Sequence, residues 1–182
     1  MLVNFGTERM LIKEVSWDDL HHIHQHSINP EVDRYNTIGI SENIKVTKGR
    51  LKLMMEAQKQ FPRASYTWNI FLKDSEEFMG MAGMSLSNDR FKLAEIYYGF
   101  LPEFWGIGYA TEAAKALIKT GFETFNLHKI EAGVATDNLQ SIKVLEKSGM
   151  TREGLRRKIL PIRGEWRDNY HYGILEDDPR DY

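Results

Sequence analysis

A glycine-bearing turn between a predicted strand and a predicted helix is the feature of the sequence with the clearest chemistry. It covers residues 105–111 and contains Gly106 and Gly108. The first backbone N–H groups of a helix have no partner within the helix, and the helix dipole adds about half a positive charge there. Glycine lets the backbone approach a ligand without an intervening side chain. The turn is therefore predicted to bind an anion such as a pyrophosphate through its amides.

Two other interpretations apply to the same turn. An ordinary connection from strand to helix has a similar composition, and a pair of glycines does not exclude it. A dinucleotide-binding loop is disfavoured, because the turn lacks the G-x-G-x-x-G spacing and follows predicted antiparallel strands instead of an early strand-helix-strand unit.

The remaining chemistry must come from oxygen and nitrogen groups, because the chain contains no cysteine. This excludes disulfides, thiolate metal sites and a cysteine nucleophile. His22 and His26 are four residues apart on a predicted helix, but two histidines without a fitting carboxylate make a weak metal site. We therefore expect no bound metal. The surface or the lining of the acceptor pocket is the expected place for these histidines.

The composition narrows the class of protein further. A net charge of -2 gives no overall positive field, which argues against direct binding of nucleic acid. No run of 18 apolar residues is present, and the first residues carry charges within their apolar stretch. We therefore expect no membrane span and no signal peptide, and a cytoplasmic location.

The elements that must position the turn form one predicted domain, residues 1–182, because 182 residues suit a single core and no linker or repeat interrupts them. Alternation of apolar and polar residues predicts seven strands, and helical spacing predicts four helices. The strands are expected at residues 7–15, 66–73, 77–86, 93–101, 129–135, 150–159 and 166–175, and the helices after Ser16 or Asp18, at residues 41–60, from Gly108 to Phe125 and at residues 138–148.

Residues 105–113, with the sequence WGIGYATEA, carry a family resemblance. They resemble the Gln/Arg-x-x-Gly-x-Gly/Ala signature of the GNAT acetyltransferase superfamily, with Trp105 in the place of Gln or Arg. A tryptophan at this place is similar to the RimJ/RimL branch of protein N-terminal acetyltransferases. Other matching features are Thr7-Glu8-Arg9, residues 29–32 with Arg34-Tyr35, residues 94–96, Asn138 with Ser141, residues 147–150 and residues 166–168.

The resemblance implies a fold and a co-substrate. The fold would be a mixed, mainly antiparallel seven-stranded sheet flanked by about four helices, opening between the strands at residues 93–101 and 129–135 to admit acetyl-CoA. The pantetheine arm would pair with Tyr98, Gly99 and Phe100, with Gly99 as the point of close approach. The pyrophosphate would be wrapped by Trp105, Gly106, Ile107, Gly108, Tyr109, Ala110 and Thr111.

The resemblance also places Asn138 and Ser141 beside the thioester end of the coenzyme. Asn138 would serve equally well as the N-cap of its helix, whatever the ligand. Lys143 and Lys147 are one helical turn apart and could face the remaining phosphate of the coenzyme, although a solvated helix face is the simpler interpretation.

Acetyl transfer to an amine requires a base, and a proton donor for the departing thiolate. The candidate base is Glu95, which the family pattern places on the acceptor side, with Glu31 and Glu103 as further options. Many relatives carry a tyrosine donor where this chain has Leu145. In the RimL-like pattern Ser141 would instead donate a hydrogen bond to the sulfur, and the alternatives are Tyr97, Tyr98 and Tyr109.

The predicted function is N-acetylation of a protein or peptide N-terminal α-amine by direct attack in a ternary complex. Two alternatives stay open at this point. One is acetylation of a small amine such as a polyamine, an amino acid or an antibiotic, and the other is a non-catalytic acyl-CoA-binding module. A monomer and a homodimer are both compatible with the sequence.

Overall fold

The computed structural model describes residues 3–87 and 89–182. Within them the chain forms one eight-stranded sheet and five α-helices. The strands are β1 (Phe5–Gly6), β2 (Met10–Glu14), β3 (Ser65–Leu72), β4 (Phe78–Leu86), β5 (Leu93–Phe100), β6 (Lys129–Ala135), β7 (Thr151–Ile162) and β8 (Glu165–Leu175). The helices are α1 (Leu20–Ser27), α2 (Pro30–Asp33), α3 (Ile44–Ala57), α4 (Tyr109–Glu123) and α5 (Leu139–Lys147).

The strand order is β1-β2-β3-β4-β5-β6-β8-β7, and β5 and β6 are the one parallel pair of neighbours among the described strands. The parallel pair arises because α4 crosses over the sheet between β5 and β6, as a parallel connection requires. The prediction of a mixed, mainly antiparallel sheet flanked by helices is confirmed.

The count of strands differs from the prediction at the N-terminus. Residues 7–15 were expected to be one strand, but Thr7 and Met10 form a turn in which the Thr7 N–H donates to the Met10 carbonyl and the Met10 N–H donates to Thr7 Oγ1, both at 2.9 Å. The strand therefore starts at Met10, and Phe5–Gly6 pairs with it separately. The short helix α2 is the fifth helix, where about four were expected.

The start of α3 also differs from the prediction. A helix was expected from Ser41, but Asn43 is the N-cap, and its Oδ1 accepts from the N–H groups of Lys45 and Val46. The Ser41 N–H donates instead to the Ser27 carbonyl, which holds this residue outside the helix. Asparagine and serine are both good N-caps, so the tertiary contact decided between them.

The core lies on both faces of the sheet. Helix α4 buries Ala113, Leu117 and Ile118, and α1 and α3 bury Ile23 and Leu51 over β3 and β4. This packing fixes α4 beside β5 and α5 beside β6. None of the helices within the described ranges combines the length and apolar character that crossing a bilayer requires.

Candidate active site

A cleft of about 490 Å³ opens where β5 and β6 separate. The two strands pair only from Leu93 to Glu95, opposite Lys129–Glu131, so the last five residues of β5 have no strand on that side. The cleft extends from α2 to α5. Eleven of the twelve residues predicted to bind the coenzyme line it, namely Tyr98, Gly99, Phe100, Trp105, Gly106, Gly108, Tyr109, Ala110, Thr111, Asn138 and Ser141; Ile107 does not.

The turn at residues 105–108 borders this cleft and carries unpaired backbone donors. Gly106 and Gly108 have φ angles of +79° and +91°, a region that favours glycine, and Gly108 is the N-cap of α4. Within the described chain, no group accepts a hydrogen bond from the N–H of residues 106–111. Free amides at the positive end of a helix are able to bind an anion such as a pyrophosphate.

Trp105 is fully bonded within the protein. Its backbone N–H donates to the Pro102 carbonyl at 3.1 Å, and its indole Nε1 donates to the Phe100 carbonyl at 2.7 Å. The tryptophan therefore ties the turn to the end of β5. Its side chain forms part of the cleft wall, and Trp105 has no free hydrogen-bond donor for a ligand.

The open edge of β5 carries further backbone groups. The Leu101 N–H bonds to the Met79 carbonyl in β4, and backbone groups alternate in direction along an antiparallel pair. The N–H groups of Tyr98 and Phe100 therefore face the opening. They can pair with an extended chain that contains amides.

Gly99 lines the cleft and also lies against α1. A Cβ at this position would lie 3.0 Å from His26 Nε2, so the missing side chain makes room for the imidazole. The reason is strand alternation, because Gly99 faces α1 whereas its neighbours face α4. His26 Nε2 lies 3.0 Å from the Gly99 carbonyl oxygen, and burial lowers the pKa of His26 below its usual value although this hydrogen bond opposes the shift.

The histidine run was expected at the surface or in the acceptor pocket, and the contact of His26 with Gly99 was not predicted. The two residues are 73 positions apart, and the local sequence only offered a histidine repeat. Two other members of that repeat have separate partners: His22 stacks on Phe78, and His24 Nδ1 lies 2.8 Å from Thr47 Oγ1.

Tyr98 and Ser141 meet in the cleft, with their hydroxyl oxygens 3.1 Å apart. Burial raises the pKa of Tyr98 above its usual value, and the hydrogen bond to Ser141 only partly opposes this, so the phenol stays protonated at neutral pH. Asn138 is the N-cap of α5, and its Oδ1 accepts from the Ser141 N–H at 3.2 Å. The cap thus fixes the position of Ser141, and Leu145 is buried in the core.

Glu95 lies on the other face of the sheet. Its Oε1 is 3.4 Å from the position that a Cβ on Gly133 would occupy, and it does not line the cleft. The structure therefore separates it from Ser141 by the thickness of the sheet. Of the other carboxylates considered, Glu31 lines the cleft at its α2 end and Glu103 does not.

The α5 end of the cleft is basic. Lys143 and Lys147 both line it, and both are solvent-exposed. They can therefore belong to a solvated helix face and still be available to a phosphate of the coenzyme. Neither is ion-paired with a carboxylate of the described residues. A phosphate group at this end would meet their positive charge.

A cation could in principle approach Glu131, Glu153 and His171, whose ligand atoms lie within 4.8 Å of one another. Lys129 Nζ is already 3.1 Å from a Glu131 oxygen and 2.7 Å from a Glu153 oxygen. The ammonium therefore already partly neutralises these two carboxylates. These residues lie on β6 to β8, away from the cleft lining.

Comparison with known proteins places this geometry in context. Residues 9–151 match the family described as Acetyltransferase (GNAT) domain. The chain is 31% identical over 178 residues to the uncharacterised N-acetyltransferase YnaD of Bacillus subtilis (strain 168), a match that covers 97% of this chain and 99% of that protein.

Two further matches are informative. The chain is 28% identical over 132 residues to the ribosomal protein uS5-alanine N-acetyltransferase of Escherichia coli (strain K12), covering 72% of this chain and 67% of that protein. The crystal structure of the acetyltransferase (GNAT family) from Bacillus anthracis superposes with a TM-score of 0.82 at 29% identity, covering 97% of this chain and all of that one.

Proposed function

Because the chain belongs to the GNAT acetyltransferase family, as its resemblance predicted, and is an N-acetyltransferase, we propose that it acetylates the N-terminal α-amine of a protein or peptide. The acetyl group would come from acetyl-CoA by direct attack in a ternary complex. The observation that carries the proposal is the row of free amides at residues 106–111, which lies in the same cleft as the open edge of β5 and the Tyr98–Ser141 pair.

In the proposed complex the pyrophosphate of acetyl-CoA binds the amides of residues 106–111. The pantetheine arm runs along β5 and pairs with the N–H groups of Tyr98 and Phe100. The positive charges of Lys143 and Lys147, at the α5 end of the cleft, would attract the phosphates of the coenzyme and so support this orientation of acetyl-CoA. The thioester then lies near Ser141, where β5 and β6 part.

The acceptor amine must be neutral to attack. At pH 7 an α-amine with a pKa near 8 is about 10% neutral, whereas a lysine with a pKa near 10.4 is below about 0.1% neutral. The difference corresponds to about 3 kcal/mol. A terminal amine therefore needs only modest help, and Glu95, on the face of the sheet opposite the coenzyme, is the proposed base, acting through water.

The departing thiolate needs a hydrogen-bond donor. We assign this role to Ser141, whose hydroxyl is held by the α5 cap and backed by the protonated Tyr98 phenol. A serine is a weak acid in water, so its contribution is a hydrogen bond to the sulfur, with the proton supplied through Tyr98 or solvent.

A small amine is the second candidate acceptor. The carboxylate of Glu31 lines the α2 end of the cleft and would pair with a cationic amine such as a polyamine. The non-catalytic acyl-CoA-binding module does not fit a chain whose relatives are N-acetyltransferases. We further propose that residues 1–182 act as a single domain in the cytoplasm, as a monomer or a homodimer.

An acceptor panel tests the proposal. Thiol release from acetyl-CoA is measured with a peptide that has a free N-terminal alanine, with the same peptide blocked at its N-terminus but containing lysine, and with spermidine. Mass spectrometry then locates the added acetyl group. The proposal expects release with the free peptide alone. Release with spermidine alone would establish the small-amine function instead.

A further inference from the structure

The Thr7-Glu8-Arg9 motif lies outside the cleft lining, yet it contacts the anion-binding turn. Arg9, at the start of β2, reaches α4 across 103 residues of sequence. Its Nε donates to Glu112 Oε2 at 2.6 Å, and its backbone N–H donates to Glu112 Oε1 at 3.0 Å. Its Nη1 donates to the Ile107 carbonyl at 3.1 Å, and its guanidinium lies 4.2 Å from the centre of the Tyr109 ring.

Glu112 is the fixed partner in this arrangement. Burial alone would raise its pKa, but hydrogen bonds from the Thr7 side chain and from Arg9, together with the charge of Arg9, lower it below its usual value. The carboxylate is therefore ionised at neutral pH and holds the guanidinium in place. Its side chain is 21% exposed, so solvent screens this pair only in part.

The contact with Ile107 determines where the next amide points. The peptide bond between Ile107 and Gly108 is trans and planar, so its C=O and N–H point in opposite directions. Because Arg9 takes the carbonyl on the outside of the turn, the Gly108 N–H is directed the other way. Gly108 lines the cleft, and Arg9 Nη2 lies 3.4 Å from the position that its Cβ would occupy.

We propose that Arg9 is a positioning residue for the coenzyme: held by Glu112, it fixes the carbonyl of Ile107 and thereby keeps the Gly108 amide directed at the bound pyrophosphate. This inference rests on the proposed function, since it assumes that the pyrophosphate binds the amides of residues 106–111. Arg9 acts through the turn and does not itself contact the acetyl group or the acceptor.

A purely structural role of Arg9 predicts a different result. An ion pair that only stabilises the fold would leave the CoA affinity of the folded protein unchanged when it is removed. The chain offers a matched control in Arg63. Its guanidinium lies 2.7 Å from Glu14, donates to the Ser65 carbonyl at 2.9 Å and lies 3.8 Å from the centre of the Tyr66 ring. It therefore makes the same three kinds of contact as Arg9, but away from the cleft.

The test compares the wild type with Arg9→Gln, Arg9→Lys and Arg63→Gln in the full chain. CoA affinity is measured by isothermal titration, steady-state kinetics give kcat and the KM for acetyl-CoA, and thermal unfolding monitors the fold. A turn that is competent about 10% of the time binds about tenfold more weakly. We expect Arg9→Gln to raise the Kd and the KM about tenfold while kcat stays within about twofold.

Arg9→Lys keeps the charge but lacks the planar fork that reaches a carboxylate and a carbonyl together. We expect an intermediate Kd, and this variant decides the outcome if Arg9→Gln does not fold. Arg63→Gln is expected to unfold at a lower temperature and to bind CoA as the wild type does. Folded Arg9 variants with the wild-type Kd and KM would overturn the inference and leave the proposed function standing. Absence of CoA binding by the wild type would overturn both.

Discussion

Gly108→Val perturbs the anion-binding turn at one residue. Gly108 has φ of +91°, and a β-branched residue in this region is strained by about 1–3 kcal/mol. The new Cβ would also lie 3.4 Å from Arg9 Nη2, so the valine side chain would contact the arginine. The turn can relieve both effects by rotating the peptide between Ile107 and Gly108. That rotation directs the Gly108 N–H away from the cleft.

The size of the effect follows from the number of donors lost. Each amide that bonds a charged phosphate oxygen contributes about 1.5–3 kcal/mol. Rotation of this one peptide removes one donor, so the loss is about 1.5–3 kcal/mol. The Kd for CoA would then rise about 10- to 150-fold. The strain itself lowers the free energy of unfolding by a smaller and separate amount.

The assay is isothermal titration with CoA, with thermal unfolding measured alongside. Gly39→Val is the matched control, because Gly39 has φ of +80°, no atom lies within 4 Å of its Cβ position, and it does not line the cleft. We expect both variants to lose similar stability and only Gly108→Val to lose affinity. A Gly108→Val protein that binds CoA like the wild type would refute the reasoning.

Three further predictions concern single side chains on α5, β5 and α1. Ser141→Ala should lower kcat about tenfold and leave the Kd of acetyl-CoA within about twofold, as expected for a hydrogen bond that strengthens in the transition state; an equal loss of both would make it a binding residue. Glu95→Gln should lower kcat/KM for the acceptor about tenfold or more without changing CoA affinity, as expected for loss of a general base, and an unchanged rate would remove Glu95 as the base. Burial lowers the pKa of His26, so the imidazole takes up a proton less readily in the folded chain than in the unfolded chain. The free energy of unfolding should therefore fall as the pH drops below the unfolded pKa of about 6.5, and it should level off below the folded pKa. His26→Gln should flatten this dependence of the unfolding temperature on pH, whereas the exposed His21→Gln should not; identical pH dependences for the wild type and His26→Gln would contradict this.

Local patterns in the sequence predicted the parts of the site that are local. Residues 105–111 are contiguous, and their glycines and helical spacing were sufficient to predict an amide site before a helix. Asn138 and Ser141 are three residues apart, so one helix turn brings them together. Strand alternation likewise predicted β5, because its buried and exposed residues alternate at Ala94, Glu95 and Ile96.

Contacts between distant residues were beyond such reasoning. Arg9 and Glu112 are 103 residues apart, and His26 and Gly99 are 73 apart. Neither pair leaves a periodic signal, because each depends on how helices pack on the sheet. From the sequence, Thr7-Glu8-Arg9 was only a point of family resemblance and the histidine repeat only surface or acceptor-pocket lining, and the packing shows what these residues contact.

The most direct test of the central claim is a crystal structure of the protein with CoA bound. We expect pyrophosphate oxygens within about 2.7–3.2 Å of the backbone nitrogens of residues 106–111, with the pantetheine arm alongside Tyr98 and Phe100. A pyrophosphate bound elsewhere, with those amides still unoccupied, would contradict it.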